Sequence, residues 1–144
     1  MSKNLSNKSI LTELYQNAHT AMQSIKNLSP EVEDASVKCE LITEYNRYQK
    51  IIDEINTLMD KYQVEKKDIG VFRKVSMAAA IKMKTFFSAK KKKVADMMIK
   101  GSVNGIIELT SIKNDNNLPE DIKIALNKLL SLEEQSIENF KAFL

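Results

Sequence analysis

Apolar residues recur at three- and four-residue intervals in successive stretches of the chain, the period of helices that each bury one face. From Ser9 to Asn27, Ile10, Leu11, Leu14, Ala18, Ala21, Met22 and Ile25 share one side, with Tyr15 beside them. From Pro30 to Tyr62 the stripe is Val37, Leu41, Tyr45, Tyr48, Ile52, Ile55, Met59 and Tyr62, widened by Ile51 and Leu58. Residues 71–87 bring Phe72, Val75, Ala79, Met83 and Phe86 together in a shorter amphipathic helix. Residues 89–113 align Val94, Met97, Met98, Gly101, Gly105, Glu108, Leu109 and Ile112. The last stretch, 119–143, aligns Ile122, Leu126, Leu129, Leu130, Glu133, Ile137 and Phe140, with Leu144 continuing the line.

The residues between the stripes act as stops and starts. Ser9 is placed to cap the first helix with its hydroxyl. Ser29 can cap the second, with Pro30 at its first position, where a missing N–H costs nothing. Glu31, Glu33 and Asp34 then complement the helix dipole. Val64 to Gly70 is a polar connection, and Ser88 can cap the helix over 89–113. Asn114 to Asn117 reads as a loop, and Pro119, Glu120 and Asp121 open the last helix. Short turns make antiparallel neighbours. The expected fold is all-α: an antiparallel four-helix bundle with a long crossover that contains an additional short helix. Gly101 and Gly105, four apart, predict a close helix approach at about 1 kcal/mol each relative to Ala.

Composition narrows the class. The chain has 144 residues, 43% hydrophobic and 28% charged, with three Gly and two Pro. That suits one helical domain with one core. No run approaches the roughly 20 apolar residues that span a bilayer, and the N-terminus lacks the apolar stretch of a secretory signal. Cys39 has no partner for an internal disulfide, which fits a reducing compartment. A cytoplasmic protein is therefore expected. Cys39 lies on a half-apolar face and is expected to be a buried structural thiol. Charge is uneven. Residues 61–93 hold eleven Lys or Arg against Glu65 and Asp68, a net +9, which leaves −6 for the rest of a chain whose total is +3.

The order of hairpin, crossover and hairpin resembles that of ferritin-like bundles. The details are similar to a family of bacterial ferritin-like four-helix-bundle proteins, distantly similar to rubrerythrins and to ferritin-like spore-coat proteins. The resemblance is carried by LTELY in the first helix, the Pro30-led second helix with Glu44 and Arg47, the basic crossover, the stretch from Gly101 to Glu108, and LPEDIKIALNKLL in the last helix. Working members of that superfamily hold two metal ions with a Glu from each of two helices and a Glu-x-x-His from each of the other two.

Measured against that pattern, both histidines are missing. The second helix offers Glu44 and Arg47, the last Glu133 and Ser136. Arginine stays protonated and cannot ligate a cation. Folding each hairpin about its turn sets Glu44 level with Glu13 or Leu14, and Glu133 level with Ile99 to Ser102. Three arrangements are open. Arg47 can replace the metal in an internal ion pair with Glu13, Glu44 and Glu133. The glutamates can instead lie at the edge of the stripes and reach water. Or a metal site for iron or manganese can be completed by Glu13, Glu44, Glu108, Glu133 and His19.

Other chemistry is sparse. Lys90, Lys91, Lys92 and Lys93, with Arg73 and Lys74 nearby, make a candidate anion-binding surface for nucleic acid or an anionic membrane. A solvated turn is the plainer explanation. One Cys and one His on different helices make no catalytic pair. The expected function is a non-enzymatic structural or interaction protein with a degenerate metal site, engaging itself or another protein. The resemblance adds a stress or spore association. The alternatives are a metal-binding ferritin-like oxidoreductase or metal-storage protein, and an anion-surface binder acting through residues 61–93.

Overall fold

In a computed structural model the described residues are 5–65 and 90–144. Their regular structure is helical: α1 (Asn7–Leu28), a 3₁₀ turn (Ser29–Glu31), α2 (Ala35–Lys61), α3 (Lys91–Asp115) and α4 (Glu120–Lys141). The expected helix at 71–87, with Arg73 and Lys74, lies outside the described residues.

Two expected caps move. The Ser9 amide donates to Ser6 Oγ at 3.1 Å, so Ser6 caps α1 and Ser9 lies inside it. Pro30 opens only the 3₁₀ turn. The chain then extends through Val32, which is buried, and Asp34 caps α2 by accepting the Val37 amide at 3.0 Å. A carboxylate cap satisfies an orphan N–H and meets the helix dipole together, and burying Val32 fixes the break before it. At the far end, Gln63 adopts a left-handed φ of 56° and the Val64 amide donates to Met59 O at 2.8 Å. This is a Schellman closure, with buried Val64 as its apolar lock. Lys90 takes the N-cap position of α3, so the helix begins beyond the expected Ser88 cap.

The pairing of the helices is set out by their cross-contacts. Between α2 and α4, Glu40 meets Asn139, Glu44 meets Ser136, Glu54 meets Lys128, and Lys61 and Tyr62 both meet Asp121. Positions rise along one helix as they fall along the other, so the two are antiparallel. Between α1 and α3, Leu5 N donates to Asn116 Oδ1 and Asn17 Nδ2 reaches Gly105 O, again in opposite directions. With the α1–α2 and α3–α4 hairpins, the cyclic order is α1, α2, α4, α3, and each neighbour is antiparallel. The diagonal helices α2 and α3 therefore run parallel. The end of α2 and the start of α3 therefore lie toward opposite ends of the bundle, roughly 40 Å apart for a helix the size of α2.

One core runs through all four helices, with Leu11, Leu14, Ile25, Leu41, Ile55, Leu109, Leu126, Leu129 and Phe140 among its members. The stripes read from the sequence supply nearly all of it. Exceptions lie at stripe edges. Gly101 and Glu108 are exposed, as is Leu144 beyond the end of α4. Cys39 is exposed rather than buried. Val37 and Leu41 flank it two positions away on either side and point inward, which turns Cys39 outward. Packing is least extensive between α1 and α3 among the neighbouring helices.

Candidate functional site

The bundle centre holds a polar layer enclosed by the core. Glu44, Ser102, Glu133 and Ser136 are its buried polar and charged residues, and Tyr48, 1% exposed, lies among them. Each arrives by helical spacing. Glu44 is three from Leu41 and four from Tyr48; Glu133 is four from Leu129 and three from Ser136, which is four from Phe140. Helix periodicity alone carries these side chains inward.

The layer has two halves. In the first, Ser136 Oγ donates to Glu44 Oε1 at 2.6 Å, while Glu44 Oε2 has no hydrogen-bond partner. Burial is the main reason that the Glu44 carboxyl is pushed up to about 8; Glu40 nearby adds to this, and the Ser136 bond opposes it. In the second half, the Tyr48 and Ser102 hydroxyls lie beside the Glu133 carboxyl. Burial again raises Glu133, to about 7, against those two donors. Burial also lifts the Tyr48 phenol well above its ordinary range, and the neighbouring carboxyls add to that. Tyr48 is therefore a committed donor. Glu133 lies flat against Gly105: a Cβ built on that glycine would meet Glu133 Cδ and Oε1 at 3.1 Å and Asn17 Nδ2 at 3.2 Å. The close approach expected at the glycines is thus real at Gly105. Gly101 has no described atom within 4 Å of the same position.

Arg47 does not occupy this centre. Its side chain is 45% exposed, and its nearest acid is Glu40, with Nη1 and Oε2 4.0 Å apart. The internal ion pair of Glu13, Glu44, Arg47 and Glu133 is not assembled. Arg47 sits three residues beyond Glu44 at the edge of the inward stripe, where its long stem carries the guanidinium to water. Glu44 meets the Ser136 hydroxyl, with Glu40 beside it, and Arg47 lowers its carboxyl only as the last of several influences. Nor do the glutamates lie at the stripe edge, since Glu44 is 0% and Glu133 3% exposed.

Among the described residues, no three His, Cys, Asp or Glu side chains converge as metal ligands. Glu13 faces Glu108 across α1 and α3 rather than Glu44. Glu108 is raised to about 7, chiefly by desolvation and then by Glu13, although it stands on the exposed side of α3, where water screens the repulsion. His19 stacks on Tyr15, with ring centroids 5.4 Å apart. The four lysines from Lys90 to Lys93 are exposed at the start of α3, and Lys91 lies over the Phe143 ring, 5.6 Å from its centroid.

A cavity of about 410 Å³ opens between α1 and α3, the neighbours that pack least. Its inner wall is Tyr48, Ser102, Gly105 and Glu133; Ala21, Leu28, Met97 and Met98 add apolar surface. The sequence alone marks Tyr48 only as core, Ser136 only as a lost ligand and Ser102 only as the residue level with Glu133. The signal that joins them is their spacing, which puts hydroxyls on the same stripes as the two glutamates. No described helix is long and apolar enough to cross a membrane. Compared with family models, curated proteins and solved structures, the chain matches none.

Proposed function

We propose that this chain is a ferritin-like bundle that works as a non-enzymatic structural or interaction protein, its ancestral metal position converted into a polar layer. One observation carries the reading. The glutamates at the expected ligand positions, Glu44 and Glu133, meet hydroxyls, Ser136 bonded to Glu44 and Tyr48 and Ser102 beside Glu133, where a dimetal site needs imidazoles and further carboxylates. Antiparallel neighbours with α2 and α3 parallel on the diagonal support the ferritin-like part of the reading. The exposed apolar pair Val103 and Ile107, four apart on α3, supports contact with another protein or a second copy.

The reading predicts little retained metal. Protein purified from iron- and manganese-supplemented growth should carry far less than one equivalent of either, and Glu44→Ala should leave that content unchanged. Near-stoichiometric iron or manganese that disappears in Glu44→Ala would overturn the proposal and restore the metal-binding alternative.

A further inference from the structure

The cavity between α1 and α3 has a chemical bias. Its inner wall carries the Glu133 carboxyl, and Glu108 stands near its mouth. Among the described residues, Lys100 is its sole lining cation; that side chain is 74% exposed and paired with Asp96 at 3.0 Å. Asn17, also on the wall, gives its Nδ2 to Gly105 O at 3.5 Å and leaves Oδ1 buried without a partner. The two carboxyls and this amide oxygen are acceptors that a donor-rich ligand can meet. The absent side chain of Gly105 is what lets Glu133 lie against the α3 backbone between the helices. Farther out, Ala21, Met97 and Met98 provide an apolar surface, and methionine adapts to irregular shapes.

We propose that this cavity binds a small organic cation, a primary amine with an apolar tail, its ammonium set against Glu133 and its tail against Met97 and Met98. The volume of about 410 Å³ falls within the range of small-molecule sites. Burial among the helices and close contact with Gly105 set the place of Glu133 before a ligand arrives, so little ordering is required on binding. An arriving ammonium also draws the buried carboxyl to its ionised form, and each N–H donated to it is charge-assisted. An anion of the same size meets Glu133 and Glu108, and among the described lining residues the only cation is the Asp96-paired Lys100.

The test uses the full chain with methyl-labelled methionine and three probes of matched size: phenethylamine, phenethyl alcohol and phenylpropionate. Phenethylamine should shift the Met97 and Met98 methyl signals saturably. The alcohol should bind more weakly and the carboxylate should not bind. Glu133→Gln should weaken the amine by roughly tenfold or more, the loss of a charged hydrogen bond. Ala21→Phe, which fills the wall away from the polar layer, should abolish the shifts even if the Glu133 variant fails to fold. Equal binding of all three probes, no saturable shift with the amine, or full amine affinity in either folded variant would overturn the proposal.

Discussion

Ser136 Oγ donates to Glu44 Oε1 at 2.6 Å, joining α2 to α4 in the middle of the core. Both residues are enclosed by the bundle, so no water competes for the bond. Ser136→Ala removes the donor and strands a buried carboxyl. The expected cost is about 1–3 kcal/mol in urea unfolding, the penalty for an unsatisfied buried group. Paired with Glu44→Gln in a double-mutant cycle run above about pH 8, where the parent carboxyl is ionised, the change should be smaller, because a neutral amide is less costly to leave unpaired.

Raised carboxyls make stability depend on pH in a fixed direction. Glu44 moves from 4.5 up to about 8, and Glu133 from 4.5 up to about 7. Between the unfolded and folded values the native state holds more protons than the unfolded one. Stability linked to these groups is therefore complete below about 4.5 and is lost as pH rises toward about 8. The Glu44 share is on the order of a few kcal/mol. Glu44→Gln keeps the shape without the titration. Its stability relative to the parent should rise steadily across that pH range, read from urea midpoints. A difference that stays flat with pH would mean that Glu44 ionises normally.

Core positions are legible in the sequence because each stripe is a direct consequence of helical period. The burial of Glu44 and Glu133 is legible for the same reason, as each lies three or four residues from core neighbours. The place of Arg47 is not. A residue at the stripe edge can turn either way, and the outcome depends on stem length and on hydroxyls from another helix filling the centre. The start of α2 is ambiguous because Ser29-Pro30 and Asp34 both make good caps, and the burial of Val32 decides between them. The left-handed Gln63 has no glycine or asparagine to mark it. The cavity depends on how far apart α1 and α3 stand, which no local pattern records, although Gly101 and Gly105 point to the right face.

Placing Arg47 at the surface has a measurable consequence. Were it the internal partner of the glutamates, its removal would cost about 3–5 kcal/mol. With its side chain 45% exposed and Glu40 4.0 Å away, Arg47→Met should change the unfolding free energy by about 0.5 kcal/mol or less. Urea denaturation at neutral pH separates these outcomes cleanly.

The two glycines of α3 should respond in opposite directions to the same substitution. Gly101 is exposed, with no described atom within 4 Å of a new Cβ, so Gly101→Ala should gain the helix propensity of alanine, about 0.5–1 kcal/mol. At Gly105 the new Cβ would stand 3.1 Å from Glu133 Cδ and Oε1 and 3.2 Å from Asn17 Nδ2. Those atoms end flexible side chains, but Glu133 is 3% exposed and lies beside Tyr48 and Ser102. It cannot yield without leaving the two hydroxyls beside it. Gly105→Ala should therefore forfeit the propensity gain and lose a further 1–2 kcal/mol or so, in the range of overpacked cores. Thermal unfolding of the two variants side by side checks this: Gly101→Ala should melt above the parent and Gly105→Ala below it. A stabilised Gly105→Ala would mean that Glu133 is free to swing away, and the preorganised wall of the cavity would be lost with it.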